Sequence, residues 1–124
     1  MKNQTPPESW EQEQFFRWVY ANQIKWPELQ LCNGSMNGVR VSVKVRAGLK
    51  LQGLRPGVPD IDLPVKRFPY SGLRIEMKRI KKGVVSADQK KFHQQLAEQG
   101  YLVKVCKGHV EAIKTTMEYL GVEA

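Results

Sequence analysis

The spacing of apolar residues predicts a helix near the start of the chain. The aromatic and aliphatic side chains that recur there at helical spacing are Phe15, Phe16, Val19 and Tyr20. Ser9 is the expected N-cap, because Gln12 stands three residues later in the position of a capping-box partner. Pro27 limits this helix to about residue 25. The polar residues 1–7 are expected to form a flexible tail, which leaves a single domain over residues 8–124.

The next part of the chain has a mixed pattern. Residues 29–32 are predicted to form a short strand, and residues 33–38, which are mostly Asn, Gly and Ser, are predicted to form a turn. Valines from position 39 to position 45 alternate with polar residues, as they would in a strand. The apolar residues at 41, 45, 49 and 51 also share one side of a helix, so the pattern alone leaves residues 41–52 open between the two.

The middle of the chain predicts a β-hairpin. Residues 60–63 have the pattern of a short strand that ends at Pro64. Residues 73–78 alternate between apolar and charged side chains, as a strand with one buried face would. The turn sequence at residues 69–72 joins the two strands, and residues 81–83 form a basic turn after the second.

The last part of the chain predicts a helix, a strand and a second helix. Ser86 is expected to cap a helix over residues 87–99, with Gln89 as its capping-box partner. Residues 101–106 are a predicted strand, and residues 110–120 a predicted helix. The order helix, strands, helix, strand, helix predicts an α/β fold in which helices flank a mixed central sheet.

Composition and charge narrow the class of partner. The 124 residues include 20 Lys and Arg against 12 Asp and Glu, which gives a net charge of +8. A domain with this charge is suited to a polyanion such as nucleic acid. No run approaches the roughly 18 apolar residues of a membrane span, and the first residues contain no apolar segment of a secretory signal. Cys32 and Cys106 have neither a disulfide framework nor zinc-ligand spacing, so we expect reduced thiols in a cytoplasmic protein.

Three residues have the spacing of a metal-dependent hydrolytic site. Asp60 follows Pro59 at the start of a predicted strand, while Glu76 and Lys78 lie two apart on the next strand and therefore share a face. Converging carboxylates are oxygen ligands for Mg²⁺ or Mn²⁺, which polarise a phosphate and activate water, and a lysine can orient that water. Taken singly, Glu-x-Lys on a strand is usually a solvated face and Pro-Asp a common turn. The combination of the two motifs in this order, within a basic domain, is a more specific indication of a metal-dependent hydrolytic site.

Four segments of the sequence resemble the virus-type replication-repair nuclease (VRR-NUC) domain, a branch of the PD-(D/E)xK nuclease superfamily. These segments are residues 49–53 (LKLQG), 57–60 (GVPD), 76–78 (EMK) and Gln89. Residues 32–40 resemble the stand-alone members of phages and bacteria, and the likeness extends from about residue 10 to residue 120. The resemblance implies a restriction-endonuclease-like core and favours a helix for residues 41–52.

The resemblance also implies roles for individual residues. In the family, the aspartate after proline and the glutamate of E-x-K bind a divalent metal, which implies that Asp60 and Glu76 hold Mg²⁺ (or Mn²⁺) and that Lys78 is the catalytic lysine. The main-chain carbonyl of Met77 is expected to be a further metal ligand, because strand carbonyls close to the site point where a metal could lie.

Two helical positions complete the implied site. A family glutamate on the first helix maps best onto Glu13, with Glu11 as its competitor; the alternative for either is an exposed helix carboxylate. A family helix glutamine maps onto Gln89, whose alternative role is the capping box with Ser86, and both roles could hold together.

The implied reaction is hydrolysis of a phosphodiester bond in DNA. Stand-alone relatives resemble Holliday-junction resolvases, so we expect branched DNA as the partner and a homodimer as the working form. A monomeric flap or nicking nuclease and a non-catalytic DNA-binding module are the alternatives. The basic residues expected nearest to the cut are Lys50, Arg79, Lys81 and Lys82. Surface or capping roles are expected for His93 and His109, and positions in the core or at its rim for Trp10, Trp18 and Trp26.

Overall fold

The order of helices and strands agrees with the predicted α/β class. The computed structural model describes residues 5–35 and 41–123, so the second half of the predicted 33–38 turn lies outside the described residues. The elements are α1 (Glu8–Asn22), β1 (Asn33–Gly34), α2 (Val43–Leu51), β2 (Ile61–Leu63), β3 (Leu73–Lys78), α3 (Ala87–Glu98), β4 (Leu102–Lys107) and α4 (His109–Leu120). A 3₁₀ helix at Pro27–Leu31 follows α1.

A mixed sheet with strand order β1-β2-β3-β4 lies between the helices. β2 pairs antiparallel with both β1 and β3, which confirms the predicted hairpin. β3 and β4 are parallel, and α3 supplies the crossover that a parallel pair requires. α1 and α4 pack against β3 and against each other, whereas α3 lies beside β4. The predicted fold class, a mixed central sheet flanked by helices, is confirmed.

The apolar face of β3 fixes the position of the whole strand. Leu73, Ile75 and Met77 are all buried, and they join Phe15 and Val19 of α1 in the hydrophobic core. Burying a side chain of this size contributes roughly 1.5–3 kcal/mol. Side chains alternate along a strand, so this packing also fixes the opposite face of β3, which carries the charged residues.

Two predictions for the early part of the chain were wrong. Ser9 does not cap α1; Pro7, in an extended conformation, is the N-cap, and its carbonyl accepts the hydrogen bonds of the first turn. Residues 29–32 do not form a strand, because Pro27 at the first position favours a helical turn. The strand comes later, at Asn33–Gly34, where pairing with β2 outweighs the turn preference of Asn and Gly.

α2 confirms the helical alternative for residues 41–52. The Ser42 hydroxyl accepts a hydrogen bond from the Val45 backbone at 3.2 Å and caps the helix. No residue of α2 is buried, and Val43 and Leu51 are 88% and 91% exposed. A helix of this kind presents both apolar and basic side chains to solvent.

The predicted elements of the C-terminal half are present within a residue or two of their expected limits. α3 has the predicted capping box between Ser86 and Gln89. α4 begins at His109 and is closed by Gly121, which adopts the left-handed conformation (φ 73°) that glycine tolerates. Among the described residues, no helix has both the length and the apolar character to cross a membrane.

Candidate active site

The charged face of β3 is buried. Glu76 is 2% exposed and Lys78 is 6% exposed, so neither belongs to a solvated strand face. The Lys78 Nζ lies 3.9 Å from Glu76 Oε2. Buried charged groups are costly unless they are paired or bind an ion, so their presence on one strand face requires partners close by.

Asp60 lies beside this pair. It directly precedes β2, and its Oδ2 accepts a hydrogen bond from the Met77 backbone N–H at 2.8 Å. Because β2 pairs with β3 through Ile61 and Ile75, the Asp60 side chain reaches the end of β3 where Glu76 is located. The Met77 side chain is fully buried in the core, as its apolar character predicted.

The carboxyl group of Glu76 keeps its proton at neutral pH in the absence of a cation. Burial, followed by the hydrogen bond and negative charge of Asp60, raises the pKa of Glu76 to about 9, against the opposing effect of Lys78. Two carboxylates this close repel each other unless a proton or a cation lies between them. The pair is therefore suited to a divalent cation.

Gln89 joins the helix cap to the carboxyl pair. Its backbone N–H donates to the Ser86 hydroxyl at 3.2 Å, and its Oε1 accepts from the Ser86 backbone N–H at 2.9 Å. This leaves the amide Nε2, which donates to Glu76 Oε2 at 3.1 Å. Gln89 therefore forms the capping box and contacts Glu76 at the same time.

His93 also contacts the site, and the expected surface or capping role was wrong. It is half-buried, and its Nε2 lies 3.3 Å from Glu76 Oε1. Burial and the charge of Lys78 lower the pKa of His93, so the contact with the protonated Glu76 is a hydrogen bond between neutral groups. His93 lies one helical turn after Gln89, and that spacing was the signal in the sequence.

The first helix carries three glutamates that occupy different surroundings. Glu13 is exposed and lines the same groove as Asp60 and Glu8. The negative charge of Glu8 is close enough to raise the pKa of Glu76. Glu11 is buried elsewhere, where it accepts hydrogen bonds from the backbone N–H and the ring Nδ1 of His109 at 2.8 and 2.7 Å. Glu11 therefore caps α4, and no signal in its own neighbourhood along the chain indicated this.

The carboxyl oxygens of Asp60 and Glu76 are suited to a cation whose remaining ligands are water molecules and substrate oxygens. Within residues 5–35 and 41–123, no group of three or more His, Cys, Asp and Glu side chains is placed to hold a metal ion. Mg²⁺ is typically bound by one or two carboxylates together with waters and substrate phosphates. Asp60 and Glu76 meet that requirement.

Two depressions flank the carboxyl pair. A groove of about 1310 Å³ runs along α1 and includes Asp60 and Arg79. A smaller pocket of about 300 Å³ lies between α2 and the start of α3, and it includes Lys50 and Gln89. The Arg79 guanidinium is bound to the hydroxyl and carbonyl of Thr5 at 3.1 and 2.7 Å.

Lys81 and Lys82 are exposed in the turn that follows β3, as the sequence predicted. This turn folds back onto the site, because a Cβ at Gly83 would lie 2.9 Å from Lys78 Cβ. Of the four basic residues expected near the cut, Lys50, Lys81 and Lys82 have exposed side chains, whereas Arg79 is half-buried.

Comparison with known proteins identifies the family of the chain. The VRR-NUC domain model matches residues 3–110. The chain belongs to the VRR-NUC family. A solved structure named "VRR_NUC domain protein" has a similar fold, with a TM-score of 0.79 and 27% sequence identity, over 98% of this chain and 93% of that chain. The chain matches no curated protein sequence.

Membership of the VRR-NUC family makes this a nuclease domain, and a nuclease domain implies a DNA substrate. The segments GVPD and EMK that carried the resemblance in the sequence contribute Asp60, Glu76 and Lys78 to one place in the structure. Nucleases of the wider PD-(D/E)xK type generally use divalent metals, which agrees with the oxygen ligands found here.

Proposed function

We propose that this VRR-NUC domain is a metal-dependent DNA endonuclease that hydrolyses phosphodiester bonds. The observation that carries the proposal is the pair of neighbouring carboxyl groups, the half-buried Asp60 and the buried Glu76, with the Lys78 ammonium 3.9 Å from Glu76. A non-catalytic DNA-binding module has no use for two carboxyl groups that would repel phosphate. The carboxyl pair, of which Glu76 is buried, argues against that alternative.

Asp60 and Glu76 are the proposed ligands of Mg²⁺ (or Mn²⁺), with the Met77 carbonyl as a main-chain ligand. The cation supplies Lewis-acid polarisation of the phosphate and neutralises charge on the leaving oxygen. Lys78 orients the attacking water and takes part in its deprotonation, and burial against Glu76 holds its ammonium group in place.

Two side chains of α3 position Glu76 for this role. Gln89 donates to one carboxyl oxygen and His93 contacts the other. Groups of this kind orient a ligand and tune its basicity. Glu13 is proposed as the helix carboxylate that assists the metal, with Glu8 as its structural competitor because its charge reaches Glu76.

The substrate is proposed to be branched DNA cut by a homodimer that resembles a Holliday-junction resolvase. Four-way junctions have two-fold symmetry, which a symmetric dimer matches. The exposed Val43 and Leu51 of α2 are apolar side chains that a second copy could cover. The monomeric flap or nicking nuclease is the second candidate, and the groove along α1 favours a strand that leaves the duplex.

DNA phosphates are proposed to bind Lys50, Arg79, Lys81 and Lys82. Lys50 lines the pocket next to Gln89, and the other three follow Glu76 and Lys78 along the chain. Arg79 would have to give up its hydrogen bonds to Thr5 to contact phosphate through the same atoms.

The deciding experiment measures cleavage of a labelled four-way junction, a 5′-flap and a linear duplex with Mg²⁺, Mn²⁺ or EDTA. We expect metal-dependent cutting that both Asp60→Ala and Lys78→Ala reduce by about 100-fold or more, because each removes a group that acts on the reacting phosphate or water. Lys114→Ala, on the exposed side of α4, is the matched control.

The substrate pattern and the variants separate the alternatives. Paired symmetric nicks in the junction support the dimeric resolvase, and a single cut at the flap supports the monomeric nuclease. Binding of DNA without cutting under any metal would support the binding module. Cutting that survives both substitutions would show that the site lies elsewhere.

A further inference from the structure

The groove along α1 extends well beyond the proposed metal site. Every fourth residue of α1 from Glu8 onwards lines it, at Glu8, Gln12, Phe16 and Tyr20. Residues at this spacing lie on one side of a helix. At 1.5 Å per residue, the row from Glu8 to Tyr20 is about 18 Å long. The row begins with Glu8 and Gln12 and ends with Tyr20, and Asp60 lines the same groove.

The two ends of this groove differ in chemical character. The end nearest to Asp60 is acidic and polar, with Glu8 and Gln12 on α1. From Phe16 to Tyr20 the groove is aromatic: Phe16 is half-buried, Tyr20 is 66% exposed, and their ring centroids are 6.0 Å apart. A tyrosine ring this exposed leaves a broad apolar face in contact with water.

Arg17 adds a positive charge beside this aromatic end. It lines the same groove and is exposed. Within the described ranges 5–35 and 41–123, its guanidinium takes part in no hydrogen bond or ion pair. A stacking surface next to an available guanidinium is the combination that binds single-stranded nucleic acid.

We propose that the aromatic end of the groove holds an unpaired strand of DNA that leaves the duplex beside the cut. Its bases stack on Tyr20 and a phosphate pairs with Arg17. This inference rests on the proposed nuclease function, because the strand enters the groove from Asp60. It adds a preference for substrates in which one strand is unpaired next to the scissile phosphate, which favours the second candidate, the flap or nicking nuclease, over the four-way junction.

The length and charge of the groove favour a single strand over a duplex. A row of about 18 Å has room for about five stacked nucleotides at 3.4 Å each. The carboxylates of Glu8 and Glu13 in the wall repel phosphates but accept hydrogen bonds from base amino groups. A single strand whose bases face this wall is therefore compatible with the groove, whereas a duplex, which presents phosphates on both strands, is not. Stacking on an aromatic ring tolerates any base, so the preference concerns DNA structure and not sequence.

The first measurement is binding of a single strand that contains the fluorescent base 2-aminopurine, in EDTA so that no DNA is cut. Tyr20→Ala should weaken binding about 5- to 100-fold, the usual effect of losing one stacked base, and should remove the quenching of the fluorescent base. Tyr20→Phe keeps the ring and should retain both. Phe68→Ala is the matched control, because Phe68 is 98% exposed and lies in the loop at the other end of β2 and β3.

The second measurement is cleavage of a splayed-arm DNA and of a fully paired duplex of the same sequence. Tyr20→Ala should lower kcat/KM on the splayed-arm DNA about 5- to 100-fold and leave the duplex unaffected. Thermal melting of each variant confirms that the fold is retained.

The two measurements test the groove proposal and the nuclease proposal independently. Equal losses on both DNAs, equal losses in Phe68→Ala, or no loss at all would overturn the assignment of the groove. If duplex is cut but single-strand binding does not depend on Tyr20, the nuclease proposal stands and the groove proposal fails. If nothing is cut but Tyr20-dependent binding is found, the groove proposal stands and the hydrolytic function fails.

Discussion

Gln89 donates its amide Nε2 to Glu76 Oε2 at 3.1 Å, while the Oε1 of the same amide accepts from the Ser86 backbone at 2.9 Å. The capping box thereby determines which end of the amide faces the carboxyl pair. Gln89 therefore has two roles, the capping box of α3 and the hydrogen bond to Glu76. Substitutions at Gln89 and Ser86 can test each role separately.

Gln89→Glu should keep the capping box and remove the hydrogen bond to Glu76. Glutamate can form the same capping box, but it offers no donor to Glu76 and places a second carboxylate against it. We expect kcat/KM for DNA cleavage to fall about 10- to 100-fold, as is usual when the partner of a metal ligand is lost. Ser86→Ala should instead cost about 1 kcal/mol of stability with a smaller loss of activity. An equal loss of activity in both variants would mean that the cap, and not the amide donor, matters.

Metal binding should release a proton. Burial raises the pKa of Glu76 to about 9, so at neutral pH the free protein carries a proton that a divalent cation must displace. The apparent affinity for Mg²⁺ should therefore rise by up to about tenfold per pH unit between about pH 6 and pH 8. Calorimetry in two buffers of different ionisation enthalpy measures the proton directly. The absence of proton release would contradict the assignment of Glu76 as a ligand.

The stability of the metal-free protein should also depend on Glu76. Its pKa is raised from 4.5 to about 9, so its stabilising contribution is fully present below pH 4.5 and is lost as the pH rises towards 9. Glu76→Gln removes the group that titrates. In EDTA the variant should match the wild type near pH 4 and exceed it increasingly above pH 4.5, by up to about 1.4 kcal/mol per pH unit. Urea denaturation at several pH values gives this difference, and a difference that does not change with pH would refute it.

Gly57 should tolerate no side chain. Its φ is +91°, and a Cβ there would lie 2.5 Å from the Asp88 carbonyl oxygen at the start of α3. Gly57→Ala should cost about 2 kcal/mol or more, because it combines a strained backbone with a contact against main chain. Gly48→Ala is the matched control, since Gly48 lies within α2 with nothing within 4 Å, and should stabilise the protein by about 1 kcal/mol. Thermal unfolding compares the two; a similar cost for both would show that the close approach is unimportant.

The turn after β3 should contribute to DNA affinity through charge. Replacing Lys81 and Lys82 by Ala should weaken binding in EDTA and reduce the slope of log affinity against log salt by about one to two. Lys104 and Lys114 are exposed on β4 and α4, which carry none of the proposed site residues, and their double substitution is the control. An unchanged slope in the Lys81 and Lys82 variant would exclude this turn from the interface.

Local sequence patterns were sufficient to predict that Asp60, Glu76 and Lys78 lie close together. The alternation along β3 predicted that Glu76 and Lys78 share a face, and the hairpin predicted that Asp60 would reach them. The capping box at Ser86 placed Gln89 at the start of a helix. These features depend on residues close in sequence, which is why a sequence can show them.

Contacts between distant segments were not predictable in the same way. The strand at Asn33–Gly34 exists because Ile61 and Asp62 pair with it, and a pair of turn-forming residues gives no sign of this. The burial of Glu11 depends on His109, and the likeness to a family could not identify which glutamate of α1 would face Asp60. His93 was missed because its contact with Glu76 could be foreseen only by combining its spacing from Gln89 with the position of Gln89 in the site.

The contact between Glu11 and the start of α4 has a consequence for how the chain folds during synthesis. The two groups are 98 residues apart, so the acceptor in α1 is made long before its donors at His109. Until residue 109 has left the ribosome, the Glu11 carboxylate has no buried partner and must stay hydrated. The first helix therefore cannot settle into its final packing early, and that packing depends on α4.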